Sequence, residues 1–107
     1  MARFREAVEA RFRDGAGIEA YAAHLKVSAT RLRRACQAAA GCSPIAIVKA
    51  RRLLEAKRLL VYSNMTVAET AYYLGFEDPA YFSRFFNEHE GVSPKAYRLG
   101  ALARATA

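Results

Sequence analysis

The sequence predicts an all-α chain built from two copies of one helical unit, and three observations carry that prediction. Residues 78–98 repeat residues 28–48 at an offset of 50, pairing Leu32 with Phe82, Arg34 with Arg84, Gln37 with Asn87, Gly41 with Gly91, and Ser43-Pro44 with Ser93-Pro94. One inserted residue extends the repeat upstream, so that Ile18, Ala22 and Leu25 match Val67, Ala71 and Leu74 at an offset of 49. Apolar residues recur at helical spacing and nowhere alternate as they would in a half-buried strand. Each copy reads as a short helix, a tight turn, a second helix and a stop at Gly-x-Ser-Pro. That is the sequence form of a helix-turn-helix, in which a first helix braces a second one that can enter a major groove.

The elements follow in order from local chemistry. Phe4, Val8 and Phe12 stand four apart among arginines and glutamates in residues 3–14, an amphipathic helix that Asp14-Gly15 ends. A second helix is expected over 18–25, followed by a turn at Lys26-Val27. Ser28 is placed as N-cap of a third helix, for which Gly41 is the stop. Ser43-Pro44 restarts the chain, with the hydroxyl as cap and the proline at the first helical position, where its missing N–H costs nothing. The next eighteen residues, to Tyr62, hold no helix breaker, which gives a rod of about 27 Å that spaces the two copies. Ser63-Asn64 ends the rod. Thr66 and Glu69 form a potential capping box for a helix to Leu74, then a turn passes through Gly75-Phe76-Glu77. Asp78 and Pro79 start the second copy's second helix, Gly91 closes it, and Ser93-Pro94 begins a last short helix that is expected to fray. The expected division is a first helix-turn-helix unit over 1–43, a connector helix over 44–62 and a second unit over 63–107.

At 107 residues the chain is one domain's worth, or two small subdomains sharing a connector. Its 53% hydrophobic content and lack of Gly/Ser/Pro-rich stretches argue against disorder. The net charge of +7 is uneven: residues 1–62 hold thirteen Lys/Arg against five Asp/Glu, whereas residues 63–107 hold four against five. Attraction for a polyanion should therefore come mostly from the first half. No apolar run reaches the roughly 18–20 residues that span a membrane, and the charged N-terminus lacks the apolar core of a signal peptide. The expectation is an intracellular, cytoplasmic protein with no membrane partner. Cys36 and Cys42 form no CxxC pair and no zinc spacing with His24 or His89, so neither a disulfide nor a metal is expected.

Rotation of 100° per residue separates two faces on each repeat helix. In the first copy Leu32, Ala35, Cys36 and Ala39 fall on the apolar side, and Thr30, Arg33, Arg34 and Gln37 on the other. In the second copy Phe82, Phe85, Phe86 and His89 fall inside, and Ala80, Ser83, Arg84 and Asn87 outside. Arginine can pair bidentately with guanine, Gln and Asn with adenine, and Thr, Ser or Ala can meet a thymine methyl. A polar helix face is often merely solvated. Two matching faces with arginine at the same place, on a basic chain, favour base reading instead. Ser28, Arg31, Lys49, Arg51 and Arg52 are the candidates for phosphate contacts, while Lys57 and Arg58 extend the same basic connector. Cys36, His24 and His89 are read as structural.

Residues 75–98, GFEDPAYFSRFFNEHEGVSPKAYR, resemble the signature of AraC/XylS-type transcription regulators at Gly75, Phe76, Asp78, Tyr81, Phe82, Ser83, Arg84, Phe86, Gly91, Ser93, Pro94, Tyr97 and Arg98. The connector's ARRLLEAKRLL, residues 50–60, is similar to that family's as well, and the resemblance covers about 17–98. It implies a homeodomain-like fold of seven helices, with two helix-turn-helix units entering successive major grooves of double-stranded DNA. It also implies regulation of transcription, usually activation through RNA polymerase. By matching positions, the family's base-contacting sites fall on Thr30, Arg33, Arg34, Ala80, Ser83 and Arg84.

The departures are Cys36, where a large apolar residue is usual, and Ile47, where tyrosine is common; both imply a looser first core. Glu77, Asp78, Glu88 and Glu90 flank the second reading helix and would repel phosphates, so the first unit is expected to supply most of the affinity. Most members carry a separate sensing or dimerising domain. This sequence is then expected to be the C-terminal portion of such a regulator, or else a small regulator acting alone. The rival class is an interaction module that keeps the fold, binds a protein and touches DNA only weakly. An enzyme is not expected: alkyl-transfer chemistry, which sometimes accompanies such domains, needs an activated cysteine, and Cys36 lies on the apolar side.

Overall fold

The computed structural model describes residues 1–106, which form seven α-helices and one 3-10 turn with no strand among them. In order these are α1 (Ala2–Arg11), the 3-10 turn Phe12–Asp14, α2 (Ile18–Leu25), α3 (Ala29–Ala40), α4 (Pro44–Tyr62), α5 (Val67–Tyr73), α6 (Pro79–Glu90) and α7 (Pro94–Thr106). Two compact units divide the chain, Met1–Arg52 and the residues from Leu53 onward, so the boundary falls inside α4. The first unit holds eleven Lys/Arg against four Asp/Glu and the second six against six, which sharpens the charge asymmetry.

In the first unit, α1 and α2 pack through Phe4 and Tyr21, whose rings meet edge to face at 5.6 Å. Phe4, Val8, Phe12, Tyr21, Leu25, Leu32, Cys36 and Val48 are buried. The expected helix over 3–14 tightens into its 3-10 turn at Phe12, and Gly15 leaves it in the left-handed conformation at φ 71°. Ser28 Oγ accepts the Arg31 N–H at 3.0 Å, and Gly41 closes α3 at φ 70°. Ser43 Oγ accepts the Ala46 N–H at 3.2 Å and so starts α4 ahead of Pro44.

The second unit is cored by aromatics. Phe82 lies 5.1 Å from Phe76 and 6.1 Å from Phe86, and Phe86 meets Tyr97 at 5.4 Å. The capping box forms as read: Thr66 Oγ1 accepts the Glu69 N–H at 3.0 Å and Glu69 Oε1 accepts the Thr66 N–H at 2.9 Å. Asp78 Oδ1 caps α6 by accepting the Ala80 N–H at 2.9 Å. Ser93 Oγ accepts the Ala96 N–H at 3.1 Å, and α7 runs thirteen residues rather than the short stretch expected. The Arg98 guanidinium donates to Leu60 O at 2.8 Å and to Met65 O at 2.5 Å, tying the start of α7 to the last turn of α4 and the loop that follows it.

The turns of the two units match bond for bond. In the first, Lys26 N–H bonds Ala23 O and Val27 N–H bonds Ala22 O; in the second, Gly75 N–H bonds Tyr72 O and Phe76 N–H bonds Ala71 O. Both turn residues are left-handed, at φ 58° for Lys26 and 88° for Gly75. Only the first copy places a side chain there, which carries a steric cost that glycine lacks. Lys26→Gly should therefore stabilise the first unit by about 0.5–1 kcal/mol, part of the relief being offset by the greater freedom of glycine in the unfolded chain. A higher urea midpoint checks this; a lower one would show that the lysine side chain makes a net contribution of its own.

Candidate nucleic-acid interface

Cap chemistry at Ser28 and packing of two residues decide which way α3 faces. Leu32 and Cys36 are its buried positions, so Thr30, Arg33, Arg34 and Gln37 all stand in solvent along one side. The expectation that Ala35 and Ala39 belong to the core is corrected, because both are exposed. Ala35 is left uncovered at the turn, where Val27 stands in place of the second copy's Phe76, while Ala39 matches His89, which is exposed in the second unit as well. The surface of α3 is accordingly wider than the four polar residues alone.

On α6, Phe82, Phe85 and Phe86 are buried, while Ala80, Arg84 and Asn87 are exposed and Ser83 is half-buried. His89 was expected inside with the phenylalanines. It is exposed, its ring tilted against Phe85 at 4.5 Å and its Nδ1 2.9 Å from Phe85 O. The Arg84 guanidinium lies 6.0 Å from the centre of the exposed Tyr81 ring, close enough for a weak cation–π attraction that limits its wandering.

The cations proposed for phosphates divide by placement. Arg31 is exposed, with its backbone N–H held by Ser28, and Lys49 is half-buried on α4. Arg51 bonds Glu9 through Nε at 2.6 Å and lies 4.2 Å over the Phe12 ring. Arg52 is turned inward: it is 9% exposed and its Nε donates to Phe12 O at 2.7 Å. That bond secures the 3-10 turn against α4 and leaves Arg52 poorly placed for a surface phosphate. Charge alone had put it among the phosphate candidates, and its acceptor lies forty residues away, beyond the reach of any local pattern.

The second unit's acidic fringe is also partly occupied. Glu90 pairs with Lys57 at 3.0 Å and Asp78, though exposed, is committed to its cap, which leaves Glu77 and Glu88 as exposed carboxylates beside α6 without either role. Arg58 bonds Glu55 through Nε at 2.6 Å, within the same helix.

Cys36 is completely buried, and burial, followed by the neighbouring Cys42, pushes its thiol up, opposite to an activated nucleophile. Among the described residues no three His, Cys, Asp or Glu side chains gather as a metal site, and no helix is long and apolar enough to cross a membrane.

Two helix-turn-helix units, each presenting an exposed polar face on its second helix, define a class of tandem helix-turn-helix domains. A family model described as a helix-turn-helix domain matches residues 21–100. The HTH-type transcriptional activator RhaR of Pectobacterium atrosepticum is 37% identical over 98 residues, covering 92% of this chain and 33% of its own. The arabinose operon regulatory protein of Escherichia coli K12 is 34% identical over 83 residues, covering 78% of this chain and 28% of its own. Among solved structures, the DNA-binding domain of the global transcriptional factor AdpA, in complex with a target DNA, is 30% identical with a TM-score of 0.86, covering 96% of this chain and 92% of that one. The chain belongs to the AraC/XylS family of helix-turn-helix domains. It spans about a quarter to a third of the length of the curated relatives it matches.

Proposed function

We propose that this chain is a sequence-specific DNA-binding domain of a bacterial transcription regulator, with α3 and α6 each entering a major groove. The observation that carries this reading is the pair of exposed polar faces, Thr30, Arg33, Arg34 and Gln37 on α3 and Ala80, Arg84 and Asn87 on α6. They arise at equivalent places on two helices of one repeat. Arg34 and Arg84 are matched to guanine, Gln37 and Asn87 to adenine, and Thr30, Ala80 and Ser83 to thymine methyls. Arg31, Lys49 and Ser28 hold the backbone beside the first unit; Arg51 joins them by exchanging Glu9 for a phosphate.

The chain works in the cytoplasm, alongside a sensing or dimerising domain, and it raises transcription through contact with RNA polymerase. The greater length of its relatives supports the further domain, and the activator role of the relative RhaR supports a positive effect on transcription. The DNA-complexed relative supports the binding itself.

Methylation protection on a bound duplex tests the reading. Guanine N7 should be protected in two separate patches, and Arg34→Ala should expose the guanine in one of them. Binding should also weaken steeply with salt, since each neutralised phosphate releases condensed counterion. Uniform, sequence-blind protection would support a protein-interaction module instead.

A further inference from the structure

The two repeats differ where their matching turns face their second helices. Val27 stands where the second copy has Phe76, and Ala35 where it has Phe85. In the second unit those two rings lie 5.4 Å apart and close the space, leaving Phe85 only 5% exposed. In the first unit Val27 and Ala35 instead line an open groove of about 260 Å³, walled by Phe4, Leu25 and Leu32. Apolar voids of about 150 Å³ already accept a benzene ring. The volume is therefore enough for one ring with a short chain attached.

The rim gives that ring a charge preference. Arg3 and Arg31 both line the groove; Arg3 donates to Leu25 O at 3.2 Å, and neither guanidinium meets a carboxylate among the described residues. A guanidinium binds a carboxylate through paired, charge-assisted hydrogen bonds. A docked peptide helix would need several anchors at helical spacing. This groove has room for one.

We propose that the groove is a binding site for a small aryl carboxylate, with its ring seated where the second unit seats Phe85 and its carboxylate held by Arg31 and Arg3. Such a ligand touches Leu32 and Ala35 on α3 and engages Arg31, so its site adjoins the first reading helix. The test contains no DNA, and its outcome is independent of the reading given under Proposed function.

Titration of 3-phenylpropionate into the full chain, followed by backbone amide shifts, is expected to give saturable changes at Val27, Leu32 and Ala35. The uncharged 3-phenylpropanol should bind about tenfold more weakly, as should 3-phenylpropionate to Arg31→Gln, since each comparison removes one side of the charged pair. Ala35→Phe copies the second unit at an exposed position and should abolish binding, with helical content and melting retained. Absent or unsaturable shifts, equal binding of the alcohol, or unchanged affinity in both Arg31→Gln and Ala35→Phe would overturn the proposal.

Discussion

Phe86→Ala is expected to destabilise the second unit by about 3–5 kcal/mol, whereas Cys36→Ala, at the equivalent position of the first unit, should cost only about 1 kcal/mol. Both side chains are fully buried, so the contrast comes from volume and partners rather than from exposure. The Phe86 ring meets Phe82 at 6.1 Å and Tyr97 at 5.4 Å, and its removal opens a cavity between α6 and α7. The Cys36 sulfur lies 3.9 Å from the sulfur of Met1, and a methyl group replaces most of the thiol. Small domains hold about 5–15 kcal/mol in all, so the Phe86 loss approaches unfolding. Urea melts followed by circular dichroism and tyrosine fluorescence should show a large midpoint fall for Phe86→Ala and a small one for Cys36→Ala. Equal losses would mean that the two cores are packed alike despite their composition.

Arg34→Ala is expected to weaken specific DNA binding by about 1–3 kcal/mol, and Arg84→Ala by less. Arg34 stands exposed on a unit with eleven basic residues against four acidic ones. Arg84 sits on a unit where basic and acidic residues balance, beside the exposed Glu77 and Glu88. The Lys57–Glu90 pair and the capping role of Asp78 soften that acidic fringe without removing it. Affinities of the two variants for a selected duplex, measured at one salt concentration, decide the matter. A larger loss from Arg84→Ala would place the main reading contact in the second unit.

What could be read in the sequence was local. The caps at Ser28, Thr66 and Asp78 depend on a hydroxyl or carboxylate two or three residues from the N–H it accepts, and each forms as read. The Gly41 and Gly91 stops depend on φ, at 70° and 78°. The repeat carried the turn geometry as well, even though lysine occupies one copy and glycine the other.

What escaped depended on distance or on a missing neighbour. Ala35 lies on the apolar side of a helical wheel, yet it is exposed because the turn residue opposite is Val27 rather than phenylalanine. The looseness expected at Cys36 and Ile47 thus appears one residue away from Cys36, at the groove beside Ala35, while Cys36 itself is sealed. The inward turn of Arg52 and the carbonyl grip of Arg98 rest on acceptors more than thirty residues away in sequence. Arg98 could have been suspected, since it ends the matched signature, but a signature does not say what its arginine holds.

In vitro selection from random duplex DNA at near-physiological salt, with sequencing of the enriched pool, tests the central claim most directly. Two short motifs recurring together are the predicted result, one lost on Arg34→Ala and the other altered by Arg84→Ala. A pool that fails to enrich any motif, while the folded chain still binds DNA without preference, would contradict the claim that these two helices read sequence.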